Sequence, residues 1–337
     1  MPASLDVLEL SMKLMEIDST SGREGAVIGW LEGYLKGLAW TVRRIPVTPG
    51  RDDLLATSVD KPLVTLSTHL DTVPPFIAPR LDGDLLWGRG ACDAKGIAAA
   101  MIVAAERLRA EHVPVALLFV VGEEVTHDGA EAANRAPVGS RVLINGEPTE
   151  GTLAVGTKGA MRFVLRTRGE AAHSAYPHLG KSAITELVRL LAELETLKLP
   201  SDPGLGATTI NVGVISGGVA DNVMAPAAEA RLMARLVTPP ETIVALLRTW
   251  LRDRAEFEQS ITVPAVRLGT VPGFPTSVAA FATDIPKLTN WGTPYLFGPG
   301  SVHVAHRDDE HVRVSELRTA VDRYVEIARA ALALAKG

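Results

Sequence analysis

Six residues of metal-ligand or acid–base type stand at the breaks in an otherwise apolar N-terminal half. His69 and Asp71 follow the apolar run 63–67, in Thr68-His69-Leu70-Asp71-Thr72-Val73-Pro74. Glu123 and Glu124 follow the run 115–121, and Glu147 follows the shorter run 142–144, in Gly146-Glu147-Pro148-Thr149. Asp93 lies in Gly88-Arg89-Gly90-Ala91-Cys92-Asp93-Ala94-Lys95-Gly96, just before an Ala-rich stretch. A later candidate, His306, sits in Ala305-His306-Arg307-Asp308-Asp309-Glu310. Several carboxylates gathered in one pocket repel one another, and a cation relieves that repulsion. Mixed imidazole and carboxylate donors suit zinc, or cobalt and manganese. Two histidines and three carboxylates are enough for two ions that share one carboxylate. Such pairs lie about 3.5–4 Å apart and activate a water between them. One glutamate is then left over as a general base. Taken singly, each residue has a plainer reading: Asp93 as a helix cap, His69 as a core histidine, the Glu pair as solvated loop. The case rests on their joint placement.

That placement requires a sheet. Leu5, Leu8, Met12 and Met15 recur at helical spacing. Ser21-Gly22-Arg23-Glu24 has the form of a capping box ahead of a second helix reaching about Leu35. An Ala-rich helix over 94–109 separates the first two apolar runs. Strands alternating with helices predict an α/β fold, a mostly parallel sheet with helices on both faces. In such sheets, ligands bind outside the carboxyl ends of the strands, so residues that follow the runs converge on one crevice. After residue 157 the pattern changes. Strands over 161–167, 208–215, 228–237 and 261–266, with helices over 182–197 and 240–254, give the order β-α-β-β-α-β of a ferredoxin-like inserted domain. A long helix over 315–335 is expected to pack back on the first sheet. The expected division is a catalytic domain of 1–157 with 269–337, and an inserted lid and dimerisation domain of 158–268.

Composition narrows the function classes. The formal net charge is −5, with no basic run, which argues against a nucleic-acid partner. One cysteine, Cys92, permits neither an internal disulfide nor a Cys-based zinc site. No secretory leader and no apolar run of about 18 residues is visible, so no membrane span and a cytoplasmic location are expected.

The combined motifs resemble the M20 metallopeptidase family, nearly end to end. They are His69-Leu70-Asp71-Thr72-Val73-Pro74, the Gly88-to-Gly96 segment, Glu123-Glu124, Gly146-Glu147-Pro148-Thr149 and the Ala305-His306 tail. The branch they look most like contains acetylornithine deacetylase, acetyl-lysine deacetylase and succinyl-diaminopimelate desuccinylase. The resemblance implies that His69 and Glu147 hold one metal, Glu124 and His306 the other, and that Asp93 bridges both. It further implies that Asp71 orients His69, that Glu123 is the base, and that His173, in Gly169-to-Pro177, helps bind the oxyanion, often across a dimer. Asn222 and Arg235 match positions that hold a substrate carboxylate, and Gly300, in Gly298-Pro299-Gly300-Ser301, is expected to face substrate through backbone amides. Met233 stands where relatives place an acid two residues before that arginine. Asp284 resembles an acidic position near the pocket. Cys92 and His178 read as structural, His127 and Asp128 as solvated loop, Arg89 and Lys95 as loop supports.

The expected activity is hydrolysis of an N-acyl amino acid of the acetylornithine or acetyl-lysine type, by a homodimer carrying two divalent ions, zinc first. The alternative is a dipeptidase or carboxypeptidase acting on short peptides with the same site. A non-catalytic binding protein is a third reading, disfavoured by the presence of both the ligand set and the base.

Overall fold

The computed structural model describes residues 5–335. The chain forms two compact units. The first takes in the chain up to Val155, Leu268–Ser277 and the chain from Thr283; the second is Gly156–Arg267 with Val278–Ala282, a short return that the sequence assigns to the first.

The first unit is built on a six-stranded sheet in the order Thr41–Thr48, Arg51–Thr57, Val115–Val120, Val64–His69, Val142–Asn145, Thr293–Leu296. The last four strands run parallel, and the first two form an antiparallel hairpin against them. Val64–His69 and Val115–Val120 are buried at every position because both faces are covered. Leu117 and Phe119 face one layer, with helices Val7–Met15, Gly25–Gly37, Lys95–Ala110 and Val314–Leu334. Leu118 and Val120 face the other, with the short helix Asp128–Asn134 and Trp291. The alternation follows from the period of two along a strand. The alanines of Lys95–Ala110 are strong helix formers, and their small side chains let the helix lie buried along most of its length.

Two local expectations are corrected, and two elements are unforeseen. The first helix starts at Val7, because Asp6 caps it by accepting from the Leu8 and Glu9 N–H groups; Leu5 lies outside. The capping box does not form. Glu24 makes no side-chain cap bond and is taken by Arg51 instead, while Ser21 Oγ donates to Asp71 Oδ2 at 2.8 Å. The hairpin over 41–57 and the parallel strand Thr293–Leu296 escape the sequence because the first hairpin strand is largely exposed, the second begins with the charged run Arg51-Asp52-Asp53, and Thr293–Leu296 is short.

The second unit is a four-stranded antiparallel sheet in the order Thr209–Gly217, Ala227–Leu236, Gly159–Arg168, Glu256–Val263. Helices Ala183–Leu194 and Pro240–Leu251 bury Leu187, Leu190, Ile243 and Leu247 against Ala230, Leu232 and Ala234. This is the ferredoxin-like β-α-β-β-α-β order. The last strand begins at Glu256, earlier than its apolar residues suggest. Its acids pair across the sheet, Glu256 with Arg168 at 2.6 Å and Glu258 with Arg166. Among the described residues, no helix is long and apolar enough to cross a membrane.

Candidate metal centre

The parallel strands bring their carboxyl ends to one edge of the first unit, and the ligand-type residues meet there. His69 is the last residue of its strand and is buried. Its Nδ1 lies 2.9 Å from the Asp71 carbonyl oxygen. A carbonyl only accepts, so Nδ1 carries a proton and Nε2 is the nitrogen turned inward, the one left to hold a metal. Nε2 is 2.9 Å from Asp93 Oδ1 and 3.9 Å from Glu147 Oε2. The other Asp93 oxygen, Oδ2, is 3.2 Å from His306 Nε2, which also lies 3.0 Å from Glu124 Oε2. Asp93 thus offers one oxygen to each imidazole. Single donor atoms of His69, Asp93 and Glu124 all lie within 4.8 Å of one another.

Buried supports hold these groups. Asp71 accepts from the Glu123 and Glu124 backbone N–H groups at 3.1 and 3.2 Å, fixing the turn that presents the Glu pair. The expected Asp71–His69 contact runs chiefly through the carbonyl, since the carboxylate is 3.6 Å from Nδ1. Gly122, just before the pair, has φ +76°; a Cβ there would come within 2.2 Å of Asp128 Oδ1 and 2.5 Å of Arg51 Nη2, so only glycine fits. Arg51 forks between Glu24, at 3.0 and 3.1 Å, and Asp128, at 2.7 and 3.2 Å. Neither Arg51 nor Glu24 carries a sequence signal for this task.

A second buried clamp ties the Asp93 loop to the His306 segment. Glu310 Oε1 accepts from the N–H groups of Gly90, Cys92 and Asp93 at 3.0, 3.2 and 3.2 Å, while Oε2 receives Arg89 Nη1 at 2.6 Å. Both side chains are almost wholly buried. Glu310→Gln leaves the Arg89 charge without its partner, and breaking such a buried pair costs about 3–5 kcal/mol. A thermal melt of the variant should show the loss; an unchanged midpoint would remove Glu310 from the frame of the site.

The donor set demands positive charge. Burial pulls the His69 imidazole down, yet hydrogen bonds to Asp71 and Asp93 outweigh it and hold the ring well above its ordinary pKa. Hydrogen bonds to Asp93 and Glu124 hold His306 up to about 10. Burial pushes the Glu147 carboxyl well up, and its Oε1 is buried without a hydrogen-bond partner. Imidazoles with several carboxylates and an orphaned oxygen match the coordination chemistry of zinc-type divalent ions. The residues present fit two such ions. Glu123, its side chain 12% exposed and its carboxyl pushed well up by desolvation and by the charge of Glu147, stands beside them.

His127 is not the solvated loop residue expected from the sequence. Its side chain is 16% exposed, and Nδ1 lies 2.8 Å from Asp284 Oδ1 and 3.9 Å from Glu123 Oε1. Asp128 is likewise engaged, by Arg51. Lys95 is buried, which pulls it to about 8, and donates to the Ile17 carbonyl at 2.6 Å. Cys92 is buried, and its thiol is pushed up by that burial. Gly300, at φ +77°, packs against Cys92, where a Cβ would approach to 2.6 Å, and its carbonyl accepts from the Glu150 N–H.

The second unit places the other candidates. His173 is exposed, and its segment bridges to Val223; the Ser174 N–H donates to the Asn222 carbonyl at 2.9 Å. His173 Nδ1 accepts from the Ala175 N–H at 3.1 Å, so the neutral ring carries its proton on Nε2 and presents a donor. Arg235 is half-buried on strand Ala227–Leu236 and has Arg162, not an acid, as its charged neighbour among the described residues; burial first, then Arg162, lowers its pKa.

Residues 155–258 match the family model described as a peptidase dimerisation domain. A peptidase M20 domain-containing protein of Schizosaccharomyces pombe is 39% identical, over 96% of this chain and 84% of its own length. A probable carboxypeptidase of Paracoccidioides brasiliensis is 36% identical, over 97% of this chain and 85% of its own. Among solved structures, a tripeptidase of Staphylococcus aureus matches with a TM-score of 0.80 at 20% identity, over 96% of each chain, a likeness of fold.

Proposed function

The chain belongs to the M20 peptidase family, and on that premise we propose that it is a dinuclear metal-dependent exopeptidase acting on short peptides with a free carboxyl end. The observation that carries the chemistry is the convergence of His69, Asp93 and Glu124, with His306 and Glu147 beside them and a spare Glu123 as neighbour. The choice of peptide over N-acyl amino acid is supported by the resemblance to a probable carboxypeptidase over nearly the whole chain.

In this reading His69 and Glu147 hold one ion, Glu124 and His306 hold the other, and Asp93 serves both. The ions, when bound, polarise the scissile carbonyl and lower the pKa of the attacking water. Glu123 takes a proton from that water and passes it to the departing amine. Asp71 keeps His69 in the tautomer that points Nε2 inward and keeps the Glu pair in place. His173 donates from Nε2 to the oxyanion as it forms. Arg235, free of an acidic partner among the described residues, grips the substrate carboxylate with Asn222, and Gly300 lies along the substrate backbone. His173→Ala should lower kcat by about 10²–10³-fold, the range for a lost oxyanion donor, with metal content unchanged. An unchanged kcat would make it a surface histidine.

The test is a side-by-side assay of zinc-reconstituted protein on dipeptides, tripeptides and N-acetyl amino acids. Faster turnover of the peptides supports this reading. Faster turnover of N-acetylornithine or N-acetyl-lysine would return the function to deacylation, which the Gly298-to-Glu310 tail favours by resemblance. Bound metal with no turnover of either class would indicate a binding protein.

The partner is a second copy of the chain. Thr209–Gly217 is one of the two edges of its sheet, with Val212, Val214 and Ile215 exposed, and Ile184 and Val188 are exposed on the helix Ala183–Leu194. Unpaired edges of this kind pair with another strand. Native mass should equal two chains, and Val214→Lys should shift it toward one; a wild-type mass of one chain would end the dimer reading.

A further inference from the structure

We infer a third cation position, formed by Glu123, His127 and Asp284, at which a zinc-type ion silences the enzyme by occupying its base. The inference rests on Glu123 being the general base.

The second cluster repeats the geometry of the first. At the principal centre, one imidazole nitrogen, His69 Nε2, is flanked by carboxylate oxygens of Asp93 and Glu147 at 2.9 and 3.9 Å. In the second cluster, His127 Nδ1 is flanked by oxygens of Asp284 and Glu123 at 2.8 and 3.9 Å. One donor atom from each of Glu123, His127 and Asp284 lies within 4.8 Å of the other two, the same condition that His69, Asp93 and Glu124 meet. Each cluster also leaves one carboxylate oxygen buried without a hydrogen-bond partner: Glu147 Oε1 in the first, Asp284 Oδ2 in the second. The Asp284 side chain is 1% exposed. An oxygen so deeply buried and unpaired is costly, and coordination removes the cost.

Chemistry selects the ion. An imidazole with two carboxylates suits zinc, cobalt or manganese, whereas magnesium prefers oxygen and retains its waters. The third position has fewer donors than the pair beside it, so it fills at higher free zinc. Without an ion there, His127 Nδ1 donates to Asp284, and Glu123 is free to take up a proton. With an ion there, the Glu123 oxygen is coordinated, and its proton transfer stops. The reaction as proposed above uses neither His127 nor Asp284.

The test uses the holoenzyme with free zinc fixed by a metal buffer. Equilibrium dialysis with elemental analysis should find a third zinc per chain at concentrations above those that fill the first two, and peptide turnover should fall over the same range. Magnesium at equal concentration should do neither. His127→Gln and Asp284→Asn should both retain two zincs and basal turnover, while the zinc concentration that halves turnover rises by at least about tenfold, as when a partner is removed from a metal site. Saturation at two zincs, or inhibition unmoved by both variants, would overturn the site. In that case Glu123→Gln still reports independently on the base. A third zinc that binds without lowering turnover would instead overturn the silencing step and count against Glu123 as base.

Discussion

Glu123→Gln is expected to keep both metals and lose about 10²–10⁴-fold in kcat, the range that a positioned proton carrier contributes. The substitution preserves size and polarity, and the backbone N–H of residue 123 stays bound to Asp71 Oδ1. Glu124 and Glu147, which face the imidazoles, are untouched. Only the ability to take up and release a proton is removed. Measured kcat against metal content per chain separates this outcome from a damaged site. Near-normal turnover would mean that another group moves the proton.

Asp93→Ala should have the broader effect, because it strips the centre of both ions. Among the described residues, Asp93 is the one side chain whose two oxygens face the two imidazoles, His69 at 2.9 Å and His306 at 3.2 Å. Removing His69 or His306 weakens one position, whereas removing Asp93 weakens both. Bound metal should fall from about two ions per chain toward none, and turnover to background, since metal binding by such sites depends on a complete set of deprotonated ligands. Elemental analysis after dialysis provides the check. Full retention of metal would show that the two positions do not share this carboxylate. The two variants form a pair with opposite signatures: inactive with metal for Glu123→Gln, inactive without it for Asp93→Ala.

The same contrast shows why the ligands were legible in the chain and their supports were not. His69, Asp93, Glu123, Glu124 and Glu147 could be nominated from sequence because each follows an apolar run or opens an Ala-rich helix. Parallel strands send such positions to one edge of a sheet. Periodicity likewise marked the helix Lys95–Ala110 and the β-α-β-β-α-β order of the second unit. These are local patterns with periods of two or 3.6, and they survive in one dimension.

What tertiary structure alone decided is the set of long-range charged contacts. Arg51 meets Asp128 across 77 residues, His127 meets Asp284 across 157, and Arg89 meets Glu310 across 221. No period encodes such pairs. Each exists because burying one charge forces a partner to be found wherever the fold has brought one. Glu24 is the clearest case: its spacing from Ser21 spells a capping box, but the hairpin delivers a guanidinium to it, and a forked ion pair replaces the cap. The chain by itself named the atoms that could hold metal; folding decided which neighbours hold those atoms still, and it set His127 against Glu123.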